Sequence, residues 1–155
     1  MADNMTPEQN AERGYTITRV FDAPRELVWQ ALTEPARFAQ WFGLAGSRLE
    51  AVSMDVRPGG RWSATMIIPG APDMPWEGHY QEATAPERLV MTLLDQQVQD
   101  GFFELMTFTL TDLGDKTELM LRQSGGHLPD EEYGRAREGT SAFLDRMAAL
   151  LAGKG

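Results

Sequence analysis

Apolar and polar residues alternate with a period close to two from Ser47 to Ser124. The alternation predicts six short strands: Arg48–Asp55, Arg61–Ile68, Trp76–Ala83, Arg88–Leu94, Phe102–Leu110 and Thr117–Gln123. Turn-forming residues separate them at Pro58-Gly59-Gly60, Pro69-Gly70-Ala71-Pro72, Ala85-Pro86-Glu87, Asp100-Gly101 and Leu113-Gly114-Asp115. Connections this short join antiparallel neighbours, because parallel strands need long crossovers. A further strand, Tyr15–Phe21, precedes the set, with Tyr15, Ile17 and Phe21 on one face and Val20 on the other.

Two stretches have a helical period instead. Pro24 suits the first turn of a helix whose apolar stripe is Leu27, Val28, Ala31 and Leu32. Pro35 breaks that helix, and a second short one follows through Phe38 to Phe42. After Gly125-Gly126 a long helix opens at Pro129, and Asp130, Glu131 and Glu132 place negative charge where a helix N-terminus favours it. Tyr133, Ala136, Thr140, Phe143, Leu144, Met147, Leu150 and Leu151 form one face of about six turns, closed by Gly153 and Gly155. The order is β-α-α-β6-α. This is an α+β chain in which a curved antiparallel sheet and one long helix must bury each other's apolar faces.

The length, 155 residues, suits a single domain over residues 15–151, with a flexible tail at 1–14 and a short one at 152–155. Folding a chain this long buries roughly 70% of its extended surface, enough for a core without covalent staples. The net charge of −9, from 14 basic against 23 acidic residues, sets phosphate backbones and anionic headgroups against it. Nucleic acid and membrane insertion are therefore not expected. The chain has no cysteine, which removes disulfides, thiolate nucleophiles, zinc ribbons and iron–sulfur clusters. With a polar start and no apolar run near the ~18 residues of a membrane span, the expected location is the cytoplasm.

Several strings resemble a known family. Phe21-Asp-Ala-Pro-Arg-Glu-Leu-Val-Trp-Gln-Ala-Leu-Thr-Glu-Pro35 is similar to the opening strand and first helix of START-like (SRPBCC) proteins. The similar branch is the one related to the heat-shock-protein-90 ATPase activator. Its usual motifs are matched in order by Gln40-Trp41-Phe42, Asp55-Val-Arg-Pro-Gly-Gly-Arg-Trp62 and Ala85-Pro-Glu-Arg-Leu-Val-Met-Thr92. Leu113-Gly-Asp-Lys-Thr-Glu-Leu119 and Phe143-Leu-Asp-Arg-Met-Ala-Ala-Leu150 complete the pattern, so the resemblance covers about residues 15 to 151. It implies a helix-grip fold with a cavity between the long helix and the sheet. Members bind lipids, hormones or polyketides, and some catalyse cyclisation or dehydration. Gly139-Thr140 stands where many members carry Gly-Trp, a change that enlarges the cavity or repacks it.

Strand alternation then proposes a lining. Trp62, Ala64 and Met66 share a face, as do Leu89, Met91 and Leu93; so do Phe102, Glu104, Met106, Phe108 and Leu110, and Leu119, Leu121 and Gln123. Tyr133, Arg137, Thr140, Phe143, Leu144 and Met147 face them from the helix. The chain has nine methionines, and those on these faces suit either an adaptable apolar pocket or plain core. Glu104 is the inward carboxylate, able to anchor a ligand or move a proton; if its strand starts late or bulges, it sits at the rim instead.

Other chemistry finds little support. His79 shares a strand face with Glu77 and Gln81 and is expected to meet solvent, while His127 precedes the long helix and caps it at most. No metal-binding spacing, G-x-S-x-G elbow or G-x-G-x-x-G fingerprint occurs, so no metal or cofactor is expected. Arg57 and Arg61 flank Gly59-Gly60, too short a turn to cradle phosphate. Trp41-Phe42 and Met74-Pro75-Trp76 either gate the cavity or make a partner surface or, for Trp41, pack the short helices onto the sheet.

The leading expectation is a non-catalytic protein, monomer or homodimer, that binds a small apolar or amphipathic molecule, oriented by Glu104, Arg137, Gln123 and Tyr133. The walls would be Trp62, Met66, Met91, Leu93, Phe102, Met106, Phe108, Thr140, Phe143 and Leu144. The alternatives are a cyclase or dehydratase using Glu104 and Tyr133, and a chaperone cofactor or interaction module.

Overall fold

The computed structural model describes residues 14–43, 46–93, 104–125 and 130–153. Among them, seven strands form one antiparallel sheet: β1 (Gly14–Phe21), β2 (Arg48–Met54), β3 (Arg61–Ile67), β4 (Met74–Thr84), β5 (Arg88–Leu93), β6 (Glu104–Asp112) and β7 (Thr117–Ser124). Their spatial order is β1-β7-β6-β5-β4-β3-β2. The helices are α1 (Arg25–Thr33), α2 (Pro35–Trp41) and α3 (Asp130–Gly153). The predicted helix-grip order is thus the observed one. β1 and β2 are consecutive strands at opposite edges of the sheet, and α1 and α2 carry the chain between them.

Alternation explains the core. The register aligns inward residues into cross-strand rows such as Leu89–Phe108–Leu121–Ile17, all buried. A burial of this kind is what stabilises a sheet with one covered face. The α3 stripe covers these rows, with Tyr133, Thr140, Phe143, Leu144, Met147 and Leu151 buried. Two arginines fix the helix laterally. Arg19 on β1 donates to the Ser141 carbonyl and hydroxyl and pairs with Asp145 at 2.9 Å. Arg146 on α3 donates to the carbonyls of Trp41, the last residue of α2, and Gly43, just beyond it.

Local departures from simple alternation have physical causes. β2 carries a bulge between Glu50 and Ser53, where Ala51 adopts a φ of 54°. Leu27, placed on the α1 stripe by spacing alone, is exposed, and Val28, Ala31 and Leu32 alone form the buried face. Between β4 and β5 the ladder stops beyond Tyr80–Met91. There the Trp62 indole N–H donates to the Thr92 carbonyl at 2.9 Å, and the Thr92 hydroxyl accepts from the His79 backbone N–H at 2.8 Å. Side chains replace strand-to-strand bonds at this point. The substitution requires Gly78, because a Cβ there would lie 2.1 Å from the Thr92 oxygen and 2.7 Å from the Trp62 indole nitrogen.

Candidate functional site

Seven aromatic side chains form one cluster under α2. Phe38, Trp41 and Phe42 meet Trp62, Trp76, Phe108 and Phe143 at ring-centroid separations from 5.1 to 6.4 Å. Trp41 is 1% exposed and its indole N–H donates to the Ala31 carbonyl at 2.7 Å. It packs the short helices onto the sheet and gates nothing. Trp62, Phe108 and Phe143, proposed as ligand contacts, belong to this close-packed cluster. Met66, Met91, Leu93, Met106 and Leu144 are buried apolar side chains beyond it.

At the other end of the inner face the polar candidates converge. Glu104 stands opposite Leu93 at the start of β6, Gln123 opposite Met106 on β7, and Tyr15 opposite Gln123 on β1. Tyr133 and Thr140 descend from α3, two turns apart. Gln123 Nε2 donates to Glu104 Oε1 at 3.0 Å, and the Tyr133 hydroxyl donates to Glu104 Oε2 at 3.0 Å. The Tyr15 hydroxyl donates to Gln123 Oε1 at 2.7 Å and lies 2.6 Å from Thr140 Oγ1. Tyr15 has one proton, committed to an amide oxygen that can only accept; Thr140 must therefore donate to Tyr15. The hydrogen bonds run in one direction, Thr140 to Tyr15 to Gln123 to Glu104, with Tyr133 entering from the helix.

Such a chain polarises each member in series and ends on the one carboxylate. Tyr15, Gln123, Tyr133 and Thr140 are all buried, whereas Glu104 is half-buried. Burial pushes the Tyr15 phenol up to about 12, and the nearby Glu104 charge acts in the same direction, against the Thr140 hydrogen bond and the Arg137 charge. β6 opens at Glu104 with no register shift there against β5, and the half-buried carboxylate accepts hydrogen bonds from Gln123 and Tyr133.

Arg137 is placed differently from expectation. It is exposed, and its guanidinium donates to the Thr16 carbonyl at 3.1 Å, on the outer edge of β1. At 100° per residue it flanks the α3 stripe rather than lying on it, so its side chain reaches over the sheet edge. Phe102 and His127 lie outside the described residues. His79 is half-buried on the outer face beside Thr92. Tyr15 is the member that alternation alone passed over: its inward position was legible, its partners were not.

The residues 22–152 match the family described as activator of Hsp90 ATPase homolog 1-like protein. The chain belongs to this family. The solved structures it resembles include a protein from Chromobacterium violaceum, 25% identical, covering 90% of this chain and 97% of that one with a TM-score of 0.77. The AHSA1 protein from Silicibacter pomeroyi is 22% identical, covers 92% and 100%, and has a TM-score of 0.78. A Nitrosomonas europaea protein is 20% identical, covers 91% and 95%, and reaches 0.79. A comparison with curated proteins finds no match. The START-like architecture read from the motifs is that of the family. Among the described residues, no helix is long and apolar enough to cross a membrane.

Proposed function

We propose that this family member binds a small amphipathic molecule between α3 and the sheet, without transforming it. Glu104 and Gln123 anchor its polar group, and Met91, Met106 and Leu93 line its apolar part. The carrying observation is the one-way hydrogen-bond chain ending on Glu104. A polar network built into an apolar face is costly unless every member is satisfied, and here four neutral groups orient a single half-buried carboxylate. Apolar walls supply affinity through area removed from water, and a few fixed polar groups set orientation. Both Glu104 oxygens already accept hydrogen bonds from neutral donors, which suits an acceptor for a ligand hydroxyl or amine better than a base that must shed its partners.

Native mass spectrometry of the purified full chain, followed by titration with 1-decanol, tests this. The expected results are saturable one-to-one binding and an affinity about tenfold weaker for Glu104→Gln, the scale of one charge-assisted hydrogen bond. Absence of saturable binding overturns the reading. An adduct that is chemically converted on incubation, with conversion abolished in Glu104→Gln, replaces it with the acid–base reading on the Glu104–Tyr133 pair.

A further inference from the structure

Tyr80 lies on the inner face of β4 and is fully buried, yet its hydroxyl has no hydrogen-bond partner among the described residues. Buried hydroxyls are almost always paired, and an orphan costs stability that a phenylalanine at the same place would not. The register shows what this hydroxyl shares a row with. Tyr80 is opposite Met91, Met91 opposite Met106, Met106 opposite Gln123, and Gln123 opposite Tyr15. The row therefore has an unpaired hydroxyl at one end, two thioethers in the middle, and the amide of the Glu104 network at the other. Three inter-strand spacings of about 4.8 Å separate Tyr80 from Gln123, about 14 Å of sheet.

We infer that the ligand is bipolar: an elongated apolar molecule with a hydroxyl or amine at one end, held by Glu104 and Gln123, and an oxygen function at the other, paired with the Tyr80 hydroxyl. The inference rests on the binding reading above and specifies its ligand class. Met91 and Met106 lie between the two ends, and their unbranched side chains have the torsional freedom to move aside for a chain laid along the row. The Tyr80 hydroxyl then has a purpose: without a partner among the described residues, it pairs with the ligand in the complex.

The test is calorimetric titration of the full chain with 1-decanol and with 1,10-decanediol, repeated on Tyr80→Phe. The diol loses more hydration on binding, so a preference for it requires a second polar partner. The wild type is expected to bind the diol about fivefold to tenfold more tightly than the alcohol. Tyr80→Phe is expected to lose the preference and bind the diol no more tightly than the alcohol, with a melting temperature no lower than that of the wild type. Equal binding of alcohol and diol by the wild type overturns the inference alone, as does a diol preference that survives in Tyr80→Phe. Binding of neither compound overturns the inference and the proposed function together.

Discussion

The hydroxyls of Tyr15 and Thr140, 125 residues apart in sequence, meet at 2.6 Å. This contact ties the first described strand to the last helix and starts the hydrogen-bond chain that ends on Glu104. Tyr15→Phe strands both Thr140 and Gln123, so it is expected to lower the unfolding free energy by about 1–3 kcal/mol. Thr140→Ser keeps the donor and is expected to cost less than Thr140→Val. Urea denaturation of the three variants measures the order.

Alkaline stability follows from the same residue. The phenol of Tyr15 is held up to about 12, against 10.0 in an ordinary environment, chiefly by burial. A group whose folded value is raised contributes fully below the unfolded value and loses that contribution as pH climbs through the folded one. Stability is therefore expected to decline between pH 10 and about 12. Tyr80, raised in the same direction by burial and then by the charge of Asp55, adds to the decline. Tyr15→Phe removes its share of the slope. Ultraviolet titration of phenolate formation, compared between wild type and variant, checks the assignment; ionisation of Tyr15 at the ordinary value contradicts it.

Gly78 marks the place where side chains replace ladder bonds between β4 and β5. Its alanine variant must displace either the Thr92 carbonyl or the Trp62 indole, both on buried, packed groups. The expected destabilisation is about 2–4 kcal/mol, the range of overpacking combined with a lost buried hydrogen bond. Thermal unfolding of Gly78→Ala reads it directly.

Gly139 behaves in the opposite way. It sits inside α3, and a Cβ there meets nothing within 4 Å. Nothing in the packing requires a glycine, so Gly139→Ala is expected to stabilise by about 0.5–1 kcal/mol through helix propensity. Gly134, equally unobstructed, is expected to do the same. A loss of stability in either variant contradicts the placement of these residues on the helix.

The strands, the stripe of α3 and the inward direction of Gln123 were legible because period-two and period-3.6 patterns report which face a residue occupies, whereas they leave Glu104, at the very start of its strand, between the inner face and the rim. They do not report which residue stands opposite. The partners of Tyr15 lie 108 and 125 positions away, and no local pattern carries that information. Arg137 shows the limit of face assignment: it flanks the stripe, and a long side chain at a flank follows the nearest acceptor, here the Thr16 carbonyl at the sheet edge. Trp62 shows another. Alternation turned it inward correctly, but its indole serves the Thr92 carbonyl of the sheet itself.

The apolar part of a bound ligand is expected to lie along the inner face between α3 and the sheet. Methyl NMR of the methionines during titration with 1-decanol tests it most directly, since Met91 and Met106 are buried on that face and Met120 is exposed on the other. Saturable shifts of Met91 and Met106 with Met120 unmoved are the predicted result. Shifts confined to Met120, or none that saturate, would rule out a ligand on the inner face.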